Sequence, residues 1–180
     1  MLEQRIQQQF FDAADLLSQT AEALSKPIAD AAHALLGCIT AGGKLMLCGQ
    51  GPARYLAQHG AALLIGRFER ERPGLAALAV AGASEVQALG TPGDVLVAIC
   101  LGGDDAALDA AVAAAQRREM TIVALTGRDA GSLAERLSET DVHIAVPHER
   151  AARLQEVHTL VLHCLCDAVD LQLLGEKEPT

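Results

Sequence analysis

Apolar side chains recur at Leu2, Ile6, Phe10, Ala13, Ala14, Leu17 and Ala21, in steps of three and four, which predicts a long amphipathic helix from Leu2 to Leu24. Ser25-Lys26-Pro27 reads as a break. Ser is a good N-cap and Pro is tolerated in a first helical turn, so a second helix is expected up to Thr40, stopped by Gly42-Gly43. From Lys44 onward the period changes. Lys44–Cys48, Leu75–Ala81, Val95–Cys100, Thr121–Thr126 and Asp141–Val146 are short apolar runs without polar alternation, the pattern of strands buried on both faces. Helical patterns lie between or after them at Ala53–Phe68, Asp105–Arg118, Ser132–Ser138 and Arg150–Leu174. The expected fold class is α/β, a doubly wound, flavodoxin-like parallel sheet of about five strands preceded by two N-terminal helices. One domain is expected over 1–180, with 1–41 as a helical oligomerisation segment, 44–174 as the α/β core and 176–180 as a flexible tail.

Composition narrows the function. The 180 residues carry 14 basic and 23 acidic side chains, a formal charge of −9, which repels phosphate backbones and argues against direct nucleic-acid binding. Aromatics make up 2% with no Trp, so base-stacking platforms are scarce, while a hydrophobic content of 51% supplies a core and excludes a mainly disordered chain. Five cysteines (Cys38, Cys48, Cys100, Cys164, Cys166) include no C-x-x-C pair, and read as buried thiols in a reducing compartment. With no apolar run of membrane-spanning length and no signal-peptide pattern at the start, the expected location is the cytoplasm, without membrane partners.

In such sheets ligands bind at the carboxyl ends of strands, where helix N-termini present free N–H groups. Two loops qualify, Gly49-Gln50-Gly51 before Pro52-Ala53, and Cys100-Leu101-Gly102-Gly103-Asp104-Asp105. The first has Gly-x-Gly but Arg54 where a dinucleotide fingerprint needs its third Gly, so a nucleotide cofactor is not expected.

Cys48-Gly49-Gln50-Gly51-Pro52-Ala53 followed by Ala57-Gln58-His59 resembles the opening motif of the sugar-isomerase (SIS) domain. Gly66–Gly74, Gly93-Asp94-Val95-Leu96 and Gln155-Glu156-Val157-His158 are similar to stretches of its phosphoheptose isomerase branch. Within that branch, Met120–Gly127 and Cys164–Asp167 resemble the DnaA initiator-associating (DiaA) proteins, non-catalytic tetramers that gather DnaA at the replication origin. That resemblance implies a homotetramer, the DnaA N-terminal domain as partner, and Leu173 and Leu174 as the docking pair.

The same resemblance implies lost catalysis. Positions where the isomerases carry phosphate-binding hydroxyls hold Ala53 and the Cys100–Asp105 loop, with two carboxylates facing the place of a dianion. A like-charge pair at 4 Å costs about 4 kcal/mol at an effective dielectric near 20, more than the 0.3–2 kcal/mol or so a helix N-terminus offers an anion. The glutamate expected one turn after His59 is Leu63, an aspartate three residues before Gln155 is Ala152, and the segment from Val80 to Gly90 is shorter than the family's. His59, Gln155 and His163 remain as vestigial catalytic or zinc positions. The expectation is therefore a non-catalytic scaffold binding DnaA, with no catalytic residue and no cofactor. The alternatives are a phosphoheptose isomerase acting on sedoheptulose 7-phosphate, or a metabolite-sensing module for a carbohydrate derivative held at Gly49, Gln50, Gly51, Cys100, Gly102, Gly103, Asp104 and Asp105. Two further readings need no ligand. Asp104 and Asp105 serve as helix caps, and Arg67, Arg70 and Arg72, interleaved with Glu69 and Glu71, form a solvated salt-bridged stretch.

Overall fold

The computed structural model describes residues 1–176, so most of the expected flexible tail at 176–180 lies outside the described residues. The chain runs α1 (Leu2–Thr40), β1 (Leu45–Gly49), α2 (Ala53–Ile65), β2 (Ala77–Val80), α3 (Ala83–Leu89), β3 (Val95–Ile99), α4 (Ala106–Arg117), β4 (Thr121–Thr126), α5 (Leu133–Arg136), β5 (Val142–Ala145) and α6 (Ala151–Leu174). The five strands form one sheet in the order β2-β1-β3-β4-β5, every pair parallel, with Leu45 opposite both Ala77 and Val95. β1 and β3 are buried along their whole length, which is why they lack polar alternation.

Two apolar layers cover the sheet. Leu47, Val97, Val123 and Leu125 face α1, α2 and α6 through Leu35, Leu56, Leu64, Leu154, Val161 and Leu165. Met46, Leu96, Ala98 and Ile122 face α3 and α4 through Val86, Leu108, Ala111 and Val112. α6 has a mean hydropathy of 1.4 in its most apolar window and the length of a membrane span, contrary to the expectation that no segment approaches it. Its apolar face is taken up by the sheet side of the molecule.

The expected pair of N-terminal helices is a single helix of 39 residues, with Pro27 inside it. An internal Pro removes one hydrogen bond and costs about 3 kcal/mol. The buried stripe Leu16, Thr20, Leu24, Ala31, Ala32, Leu35 and Cys38 nevertheless runs straight through the Pro, so tertiary packing offsets the breaker. Ser25 does not cap a new helix; its hydroxyl donates back to the Ala21 carbonyl at 2.5 Å. α3 is an addition to the expected elements. It follows β2 after only Ala81 and Gly82.

Candidate functional site

The strand order reverses between β1 and β3, and ligands of doubly wound sheets sit at that switch point. A cleft of about 440 Å³ opens there, lined by Gln50, Pro52 and Ala53 beyond β1, by Cys100, Leu101, Gly102, Asp104 and Asp105 beyond β3, and by Ala151 from the start of α6. Of the loop residues expected from sequence, Gln50, Cys100, Gly102, Asp104 and Asp105 line it, whereas Gly49, Gly51 and Gly103 shape the same loops from behind. Gly49 packs so closely on α2 that a Cβ would stand 2.7 Å from the Ala53 carbonyl oxygen, and Gly102 adopts φ +115°, open only to glycine in practice. Ala151 carries no chemistry-bearing side chain, so no sequence signal marked it.

Both carboxylates of the cleft are tied to backbone. Asp105 caps α4, accepting the Ala107 and Leu108 N–H groups at 3.1 and 3.0 Å, and Asp104 accepts the Ser132 N–H at 2.9 Å. Burial, assisted by the Asp105, Asp129 and Asp109 charges, pushes the Cys100 thiol up, which keeps it a poor nucleophile. The Gln50 side-chain amide donates to the Ala81 carbonyl at 2.9 Å, tying the first loop to the short β2–α3 link.

A second polar group lies on α2 and α6. His59 and His163 meet with their Nε2 atoms 3.1 Å apart and their rings at 64°. A contact that short needs one Nε2 to carry hydrogen and the other to accept it. Phe68, just beyond α2, stacks on His163 with ring centroids 5.3 Å apart and planes at 29°. Gln155, two turns earlier on α6, makes no direct side-chain hydrogen bond to either ring among the described residues. Leu63, one turn beyond His59, brings an aliphatic side chain. Two imidazole nitrogens fall short of the three protein ligands of a catalytic zinc site, and among the described residues no group of three or more His, Cys, Asp or Glu gathers. His59 and His163, with the Gln155 amide and water, would give zinc an uncharged donor set and a weak site.

The strap from Gly66 to Ala76 corrects the expectation of a solvated arginine stretch. Arg67 does pair with Glu71 at the surface, but Arg72 is buried against Asp170 of α6, both side chains 1% exposed and 2.5 Å apart. Arg72 also donates to the Leu63, Leu64 and Gly66 carbonyls at 3.1, 2.9 and 3.2 Å, capping the C-terminal end of α2. Arg70 donates to the Gly175 carbonyl at 2.7 Å. Glu69 sits at φ +51°, a conformation costing a non-glycine residue about 1–2 kcal/mol.

Two more groups bear on the chemistry. His158 is fully buried on α6, its Nε2 3.2 Å from the Thr126 carbonyl, and burial pushes its pKa down to about 4. Its neutral ring is part of the scaffold. Leu173 and Leu174 occupy the last turn of α6, 37% and 40% exposed.

With this geometry in view, comparison with known proteins defines the class. A family profile described as SIS domain matches residues 9–90. Phosphoheptose isomerase of Methylibium petroleiphilum is 60% identical over 198 aligned positions, covering 100% of this chain and 99% of the relative, and that of Aromatoleum aromaticum is 44% identical over 97% of both. The structure of phosphoheptose isomerase from Neisseria gonorrhoeae superposes with a TM-score of 0.88 at 36% identity, over 94% of this chain and 99% of that one. The chain therefore belongs to the phosphoheptose isomerase family of SIS-domain proteins. Against 198 aligned positions this chain has 180 residues, so 18 positions of its relative have no counterpart here. The relatives' shared name overturns the expectation of a non-catalytic DnaA-binding scaffold, on which the docking role expected of Leu173 and Leu174 depended. That expectation read the lost loop hydroxyls, Leu63, Ala152 and the shortened Val80–Gly90 segment as lost activity, whereas a relative 60% identical over the whole chain carries the isomerase name.

Proposed function

We propose that the protein is a phosphoheptose isomerase, interconverting the ketose and aldose forms of a seven-carbon sugar phosphate. The observation that carries this reading is the His59–His163 contact in a chain matched over its whole length by relatives of that name. The cleft at the switch point receives the phosphate-bearing end. Asp104 and Asp105 turn onto backbone amides, and α6, whose N-cap Arg150 makes no side-chain cap, supplies the anion-favouring pole. The carbonyl end reaches the imidazole pair. The sugar displaces the hydrogen bond between the rings. The freed unprotonated Nε2 removes a proton from ketose C1 while its neighbour donates one to O2, giving an enediol. The neighbour then takes the O1 proton while the first imidazole returns its proton to C2, yielding the aldose. The step is redox-neutral, since the hydrogens only change places within the sugar. The protein works in the cytoplasm as a homo-oligomer, with the exposed Leu2, Ile6, Phe10 and Phe11 of α1 covered by a second copy.

The test is a coupled assay with sedoheptulose 7-phosphate, run with and without added zinc. Turnover that falls at least 100-fold or so in His163→Ala supports the proposal. A flat trace at high enzyme concentration rejects it. A second reading, a sensor of a carbohydrate derivative without turnover, is favoured by Leu63 and the carboxylate-lined cleft; it predicts ligand-induced thermal stabilisation alongside that flat trace.

A further inference from the structure

The strap between α2 and β2 is held more tightly than a surface connection requires. Its arginine is fully buried against Asp170, a pairing that is weak evidence for stability because both charges must leave water. Its turn places Glu69 in the left-handed region, and strained backbone of this kind persists where the surroundings over-determine it and clusters at functional sites. The Phe68 carbonyl accepts the Arg70 N–H across that turn. Arg70 is itself tied to Gly175 beyond α6, and Arg72 to Asp170 within it. Beside these contacts the strap lays the face of Phe68 against the ring of His163, whose other neighbour is His59.

We propose that Phe68 is a positioning residue, a wall that fixes the plane of the His163 imidazole so that its Nε2 points at the Nε2 of His59. An imidazole on an exposed helix face rotates about two side-chain bonds, and a hydrogen bond alone restrains only one direction. The stack supplies the second restraint. The strap, the buried ion pair and the left-handed turn then form one device for aiming a ring, built from residues that never reach the substrate. This inference rests on reading the histidine pair as the acid–base centre, and its test has one arm that does not.

The experiment compares wild type with Phe68→Ala and Phe68→Tyr. Steady-state kinetics on sedoheptulose 7-phosphate should show kcat lowered between about 10- and 100-fold in Phe68→Ala with KM within about twofold of wild type, and both recovered in Phe68→Tyr. In parallel, the imidazole carbon-bound protons of His163, assigned by its loss in His163→Ala, should resonate upfield in wild type and Phe68→Tyr through the ring current, and move downfield in Phe68→Ala. An unchanged kcat in a folded Phe68→Ala overturns the proposal. So does a His163 resonance that ignores the substitution, and this arm decides even if wild type shows no turnover and the isomerase reading itself fails.

Discussion

The cleft and the histidine patch differ in how far along the chain their partners lie. In the cleft, Asp105 and Cys100 are satisfied within a short stretch of chain: Asp105 caps residues two and three ahead of it, and Cys100 donates to Gly103 at 3.6 Å. The longest ties there, Asp104 to Ser132 and Gln50 to Ala81, span 28 and 31 residues. At the patch every defining contact is long-range, joining His59 to His163 and Arg72 to Asp170 across 104 and 98 residues. Local plans make robust loops whose chemistry can drift. Distant plans fail together when any one partner is lost.

The largest effect should therefore come from the patch. Arg72→Ala leaves Asp170 buried without its partner and should cost about 3–5 kcal/mol, read as a shift of the urea midpoint. The double replacement Arg72→Met with Asp170→Leu should recover most of that loss. If Arg72→Ala costs less than about 1 kcal/mol, the contrast between the two regions disappears.

Next in size is a pH effect from the scaffold between them. Because burial holds the His158 pKa down at about 4, the unfolded chain takes up the proton first as pH falls below its ordinary value near 6.5. The stability contributed by neutral His158 is complete above pH 6.5 and is lost progectively down to pH 4, about 3 kcal/mol in all. Urea melts at pH 7, 5 and 4 measure it, and His158→Gln should flatten that slope. An unaltered slope in the variant would show that other groups carry it.

The smallest effect belongs to the cleft. Asp105→Ala removes the cap of α4 and should cost about 1 kcal/mol, while Asp105→Ser, which can accept the same N–H groups, should cost only a fraction of that. A loss in Asp105→Ala matching Arg72→Ala would mean that a local cap matters as much as a distant pair.

The same division explains what the sequence disclosed. The five strands, the switch-point loops and the Asp105 cap follow from periodicity and from residues a few positions apart, so they were legible. Pro27 misled because the local rule for a breaker says nothing of the stripe that packs through it. Arg72 was unreadable, since its neighbours Arg67 and Arg70 have the same local setting and only the fold distinguishes them. His59 and His163 were noticed singly through family motifs, but their contact and the Phe68 wall depend on how α2, the strap and α6 pack. Gln155, spaced two helical turns from His163, suggested a common face, and it makes no direct hydrogen bond to the pair among the described residues.

The unbroken α1 rod sets a length scale. Its 39 residues extend about 58 Å, against about 36 Å for the 24 of α6 beside it. Arg153, near the start of α6, donates to the Gln9 carbonyl, so about two turns of α1 ahead of that contact project as a cantilever carrying Leu2 and Ile6. Whatever grips that arm is held at a fixed offset from the sheet, so a flexible hinge of the sort two glycines would give at Ser25–Lys26 would loosen the grip's geometry without touching either surface.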